Sequence, residues 1–263
     1  MTHARTFLQR SRHDTVFNFR RRVPDDLRVA YDAALVVVGG PLFLRSGRVG
    51  VVIVAQQQEQ APAAPSHSGR LEVSVEKDVP YGAGHERLKL DVYLPKGEAA
   101  GARSRPAVIF FHGGGWRGGD KSRFAWHASD AATLGYAAFS ANYRLAPQHH
   151  YPAAVDDAQR VVRWVRAHAA PYGVDLRRVC AVGSSAGGHL VALLGARDTR
   201  DNSDPELARF SSRVTCVVDY FGPSSFAGMS ASKEASEKGA LFQFIGKSYA
   251  DAPDLWAEAS PLT

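Results

Sequence analysis

Cysteine is nearly missing from this chain: only Cys180 and Cys216 occur in 263 residues. Two thiols do not make a disulfide framework. Each sits in an apolar run that reads as a buried strand, so the pair leaves the redox compartment open. Long hydrophobic runs are also lacking. Residues 29–55 are enriched in Ala, Val and Leu, but Gly39-Gly40-Pro41, Arg45 and Arg48 break the stretch below membrane-spanning length. No transmembrane segment is expected. Metal-ligand spacing is absent too, because His149-His150 is an adjacent pair in a Pro-flanked loop rather than a pair spaced to one face. No G-x-x-x-x-G-K-[ST] phosphate loop occurs. Finally, no histidine follows His189.

Acidic residues are scarce at the N-terminus, where the first 55 residues hold nine arginines against four aspartates. That surplus supplies nearly all of the net charge of +6. No aromatic stripe or binding motif accompanies it, so it reads as a solvated or processed tail and no nucleic-acid partner is expected. Val49 to Ala55, followed by Gln56-Gln57-Gln58, also reads as the end of an export signal. Against that, the leader is longer than the usual ~15–30 residues and its apolar part is short and charge-broken. The balance favours a cytoplasmic chain, with export standing if 29–55 is a signal. Residues 56–69, rich in Gln, Ala and Pro, read as a linker. The expected organisation is a basic tail and linker over 1–69 and one folded domain over 70–263.

From residue 70 the pattern becomes regular. Leu71, Val73 and Val75 alternate with polar residues, as do Leu88, Leu90, Val92 and Leu94, which predicts a hairpin of two half-exposed strands. Residues 107–111, 136–140, 179–182 and 214–218 are short continuous apolar runs, the pattern of strands covered on both faces. Helical stretches lie between them at 123–134, 153–169 and 186–194. In the second, Val155, Ala158, Val162 and Val165 recur at helical spacing while Asp156, Asp157, Arg160 and Arg163 take the other face. Alternation of this kind predicts an α/β fold with a mostly parallel sheet, whose catalytic groups lie at the carboxyl ends of strands.

Two motifs fall at such ends. Ser185 follows the strand ending at Val182 and precedes an Ala- and Leu-rich helix, with Gly183 and Gly187 two residues to either side. This is the setting of a nucleophile elbow, in which small flanking residues let strand and helix approach through a strained turn. Upstream, His112-Gly113-Gly114-Gly115-Trp116 ends the strand at Phe111. Successive glycines let backbone amides turn toward one point, and with the amide of Ala186 they would hold a developing oxyanion.

These motifs, with Asn142-Tyr143-Arg144-Leu145-Ala146-Pro147, Tyr151 to Asp157, Tyr220-Phe221-Gly222 and Ala259-Ser260-Pro261, are similar to those of an alpha/beta hydrolase of the esterase/lipase group. That group includes hormone-sensitive-lipase-like and feruloyl-esterase-like enzymes. The resemblance runs from about residue 80 to the end. It implies Ser185 as catalytic nucleophile, Gly113, Gly114, Gly115 and Ala186 as oxyanion donors, and no cofactor. It also implies a triad acid and a histidine on later strands. Neither is found in this chain, which is expected to be C-terminally truncated after a segment similar to Ala259-Ser260-Pro261. Ser184 departs from the aspartate of the lipase-like branch and leans toward the feruloyl-esterase-like one.

The implied reaction is hydrolysis of a small-molecule or carbohydrate-linked carboxylic ester through an acyl-serine, with this chain inactive alone. A sheet ending at 214–220 is expected to leave an apolar strand edge uncovered, which predicts poor solubility. A non-catalytic hydrolase-like binding protein and a serine peptidase on the same fold remain alternatives. His189, one turn along the elbow helix, is expected to point into helix packing rather than at Ser185. His112 is expected to brace the glycine loop. A lid within 222–250, the acyl group and the oligomeric state are not fixed by these residues.

Overall fold

A computed structural model of the protein describes residues 71–96 and 104–262, preceded by two strands, Val37–Val38 (β1) and Gly50–Val54 (β2). The later strands are Val73–Pro80 (β3), Lys89–Pro95 (β4), Arg105–Phe111 (β5), Ala137–Ala141 (β6), Val174–Ser184 (β7) and Cys216–Tyr220 (β8). Helices span Ala125–Thr133 (α1), Ala153–Ala167 (α2), Ala169–Tyr172 (α3), Ala186–Ala196 (α4), Ala240–Ile245 (α5) and Pro253–Ala259 (α6). These strands form one sheet in the order β1-β2-β8-β7-β5-β6-β4-β3. The pairs β5·β6, β5·β7 and β7·β8 are parallel, as crossover through helices requires, while β3·β4 and β4·β6 are antiparallel.

The continuous apolar runs are explained by burial on both faces. Along β5, Ile109 and Phe111 join a core with Phe139, Val155, Val162 and Leu190, whereas Val108 and Phe110 pack with Phe124, Ala128 and Ala132 on the opposite side. Helices α2 and α4 therefore cover one face and α1 the other.

Three expectations change. The hairpin is not half-exposed throughout, because β4 lies between β3 and β6 and buries Leu90, Asp91, Val92 and Tyr93 together. Asp91 is tolerated there by Lys121, whose Nζ stands 2.7 Å from its carboxylate. The polar face of α2 is not solvated either: Asp157 and Arg163 are 2% and 3% exposed. Arg144 satisfies Asp157, and the carbonyls of Asp201, Leu207 and Phe210 satisfy Nε and Nη1 of Arg163. Nor is β8 left as a bare edge. β2 pairs with it in parallel, from Gly50 opposite Cys216 to Val54 opposite Tyr220. Apart from β1 and β2, the tail and linker of 1–69, including most of the export segment considered within 29–55, lie outside the described residues.

Candidate active site

Ser185 occupies the single residue between β7 and α4, with φ 53° and ψ −117°. A non-glycine residue held there costs about 1–3 kcal/mol and persists only where its surroundings impose it. They do so through its neighbours. A Cβ on Gly183 would meet the Gly187 carbonyl oxygen at 2.2 Å, and one on Gly187 would meet the Phe111 carbonyl oxygen at 2.0 Å. Strand and helix thus touch backbone to backbone on both sides of the serine. The Ser185 N–H donates to the Tyr220 carbonyl at 2.8 Å, and its carbonyl accepts from His189 N at 3.0 Å. The side chain is left exposed at the tip.

The glycine loop lies against this tip. A Cβ on Gly113 would come within 3.3 Å of the Ser185 Cβ and 2.8 Å of the Ser184 carbonyl oxygen, so only glycine fits between them. Gly114 and Gly115 follow with φ of 128° and 58°. Among the described residues, no protein acceptor takes the N–H of Gly113, Gly114, Gly115 or Ala186. The last of these opens α4, where the amides lack intrahelical partners and the helix dipole favours negative charge. Ser185, Ala186 and Gly113 are thus brought together, and Gly114 and Gly115 continue the loop beyond Gly113.

The loop is held from behind. His112 Nδ1 donates to the Gly113 carbonyl at 2.8 Å, and its ring stacks on Tyr143 with centroids 4.3 Å apart. Tyr143 Oη donates to the His112 carbonyl at 2.8 Å, and Arg87 donates to the carbonyls of Tyr143 and Gly119 at 2.9 Å each. Burial pushes the His112 imidazole down to about 4. It is a neutral brace.

His189 is equally committed. Trp116 Nε1 donates to its Nδ1 at 3.3 Å, while its Nε2 donates to the Ala259 carbonyl at 2.8 Å. Burial lowers this imidazole also to about 4. Neither nitrogen is free to take a proton from Ser185, and the ring points into the helix packing as its position predicts. Among the described residues no side chain hydrogen-bonds to the Ser185 hydroxyl. Asp219, at the end of β8, is 4% exposed and accepts the Gly222 N–H at 2.7 Å, with burial raising its carboxyl.

Several neighbours hold positions that sequence reasoning did not assign to them. Residues 222–250 pack under and beside the glycine loop: Phe244 stacks on Trp116 at 4.4 Å and Phe226 meets its edge at 5.7 Å. A Cβ on Gly115 would lie 3.1 Å from that of Ala240. Phe221, with φ 49°, stands 58% exposed directly after the residue that holds the serine amide. Its only sequence signal is the tripeptide Tyr220-Phe221-Gly222. His149 Nε2 lies 3.1 Å from His85 Nε2, a pairing that the distance along the chain hides. Among the described residues, no three His, Cys, Asp or Glu groups are placed to hold a metal, and no helix is long and apolar enough to cross a membrane. A cavity of about 540 Å³ lined by Arg144, Asp157, Arg160 and Asp204 lies beside α2 and includes none of the elbow residues.

A mixed sheet with a parallel centre, helices on both faces and a strained serine between its central strand and a buried helix defines an alpha/beta hydrolase. Residues 90–263 match the BD-FAE family model, and the chain belongs to that family. It is similar to Esterase LipI of Mycobacterium tuberculosis, at 35% identity over 162 residues, covering 60% of this chain and 48% of that protein. Two solved structures are also alike. A truncated form of a carbohydrate esterase from gut microbiota superposes with a TM-score of 0.57 at 28% identity, covering 74% of this chain and 73% of that one. Esterase 2 of Thermogutta terrifontis, phosphoramylated by tabun, gives a TM-score of 0.55 at 27% identity, covering 75% and 67%. The chain spans less than half the length of the curated relative.

Proposed function

We propose that this chain carries the nucleophile and oxyanion hole of a serine carboxylic-ester hydrolase. One observation carries the reading: an exposed serine in a strained strand-to-helix turn stands beside backbone donors that have no protein acceptor. In the proposed reaction Ser185 Oγ bonds to the ester carbonyl carbon. The negative oxygen that develops is held by amides of Gly113, Gly114, Gly115 and Ala186. The alcohol then leaves, and water releases the acid. The serine proton must pass to a base that the described residues do not supply, so turnover by this chain alone is slow. The likeness to a carbohydrate esterase supports an alcohol part linked to a sugar.

Hydrolase-like binding without cleavage is the second reading, favoured by the commitment of both His189 nitrogens away from Ser185. Treating the chain with a fluorophosphonate and with a short-chain aryl ester separates the two. The expected result is slow phosphonylation of Ser185, absent from Ser185→Ala, with ester turnover near background. A Ser185 that is never modified would overturn the nucleophile assignment. Rapid turnover abolished by Ser185→Ala would instead show that a base reaches the hydroxyl.

A further inference from the structure

The two cysteines, far apart in sequence, are neighbours in the sheet. Cys180 on β7 and Cys216 on β8 are direct register partners in parallel strands. Adjacent strands run about 4.7–4.9 Å apart, inside the ~4.4–6.8 Å window that a disulfide needs between Cα atoms. Residues in register project to the same face, so both sulfurs leave the sheet together. Both thiols are free and only partly buried, short of the full enclosure expected from their apolar runs. On the far side of Cys216 the register partner is Gly50.

We propose that Cys180 and Cys216 form a reversible cross-strand dithiol–disulfide couple, oxidised by exchange with a small-molecule disulfide. The mutual influence of the facing thiols sets the order of events. It raises the Cys180 thiol, which burial raises further, and lowers that of Cys216. Cys216 is therefore the attacking thiolate. Its sulfur bonds to one sulfur of the small disulfide, whose S–S bond breaks and releases one thiolate. Cys180 then gives up its proton and attacks the Cys216 sulfur, releasing the second small thiol. The protein dithiol loses two electrons and two protons, and one small disulfide becomes two thiols. The new bond ties β8, whose Tyr220 carbonyl holds the Ser185 amide, to the strand that ends at Ser184. The inference stands apart from the reaction assigned to Ser185.

The test is mapping of the full chain after reduction, exposure to oxidised glutathione, alkylation and trypsin. The expected product joins peptide 179–197 to peptide 214–233, two hydrogens lighter than the reduced pair, in a yield unchanged by diluting the protein. Cys180→Ser is expected to stop at a glutathione adduct on Cys216. Cys216→Ser should react with the same disulfide at least about tenfold more slowly than Cys180→Ser. Two thiols that stay alkylatable after excess disulfide would overturn the proposal. So would a wild-type adduct that never resolves, or links that form only between chains and vanish on dilution.

Discussion

At Gly187 the fold has no room for a methyl group. The oxygen 2.0 Å from the Cβ position belongs to the backbone of β5, and a strand buried on both faces does not move aside as a flexible side chain would. The same holds at Gly183, where the obstacle is the first turn of α4. The strain at Ser185 is therefore offset by close packing and by its amide bond to Tyr220, not by its own side chain. Gly187→Ala is expected to destabilise the domain by more than about 2 kcal/mol, at the upper part of the range for overpacking a core. Urea unfolding measures this, and an unchanged midpoint would show that the elbow is looser than described. The elbow was legible in sequence because its glycines are symmetric about one serine and no other. One of its two supports was legible too, because the Gly113 loop was expected beside Ser185. The Tyr220 carbonyl was not, because it lies on a strand that only the sheet order brings alongside.

Secondary elements were legible where one periodicity ruled and illegible where a distant segment supplied a partner. The apolar runs of β5, β6 and β7 have the pattern of two-sided burial, and they have it because α1 packs on one face and α2 and α4 on the other. Asp157 and Arg163 sit on the polar face of their helix, and nothing in its period shows that Arg144 pairs with the first and that the aperiodic loop at 198–213 supplies acceptors to the second. The edge of β8 was expected to lie bare, yet β2 reaches it from more than 150 residues earlier in the chain. A parallel partner at an apolar edge removes a template for association. Deleting residues 1–56 is thus expected to raise light scattering by the protein and to speed hydrogen exchange at the β8 amides that face β2. If both are unchanged by the deletion, β2 does not guard that edge.

For the molecule as a whole, the two histidines that flank the glycine loop set its response to acid. His112 and His189 are 1% and 0% exposed, and both are held near 4 by burial, against an ordinary value of 6.5. Between these limits the unfolded chain binds protons that the folded one refuses. Stability is therefore full above about pH 6.5 and falls as pH drops toward 4, by on the order of 3 kcal/mol per histidine at the low end. Asp120, held down to about 2, keeps its contribution through this window and loses it only at lower pH. Asp156 and Asp219, raised mainly by burial, act with the opposite sign and blunt the slope without reversing it. Urea midpoints taken from pH 7 down to 4.5 are expected to fall steadily. Imidazole resonances in the folded protein should show two rings that do not titrate above about pH 5. Were both rings to titrate near 6.5 while the domain stayed folded, burial would not hold them neutral, and the bond from Trp116 Nε1 to His189 Nδ1, which needs an unprotonated acceptor, would not stand as described.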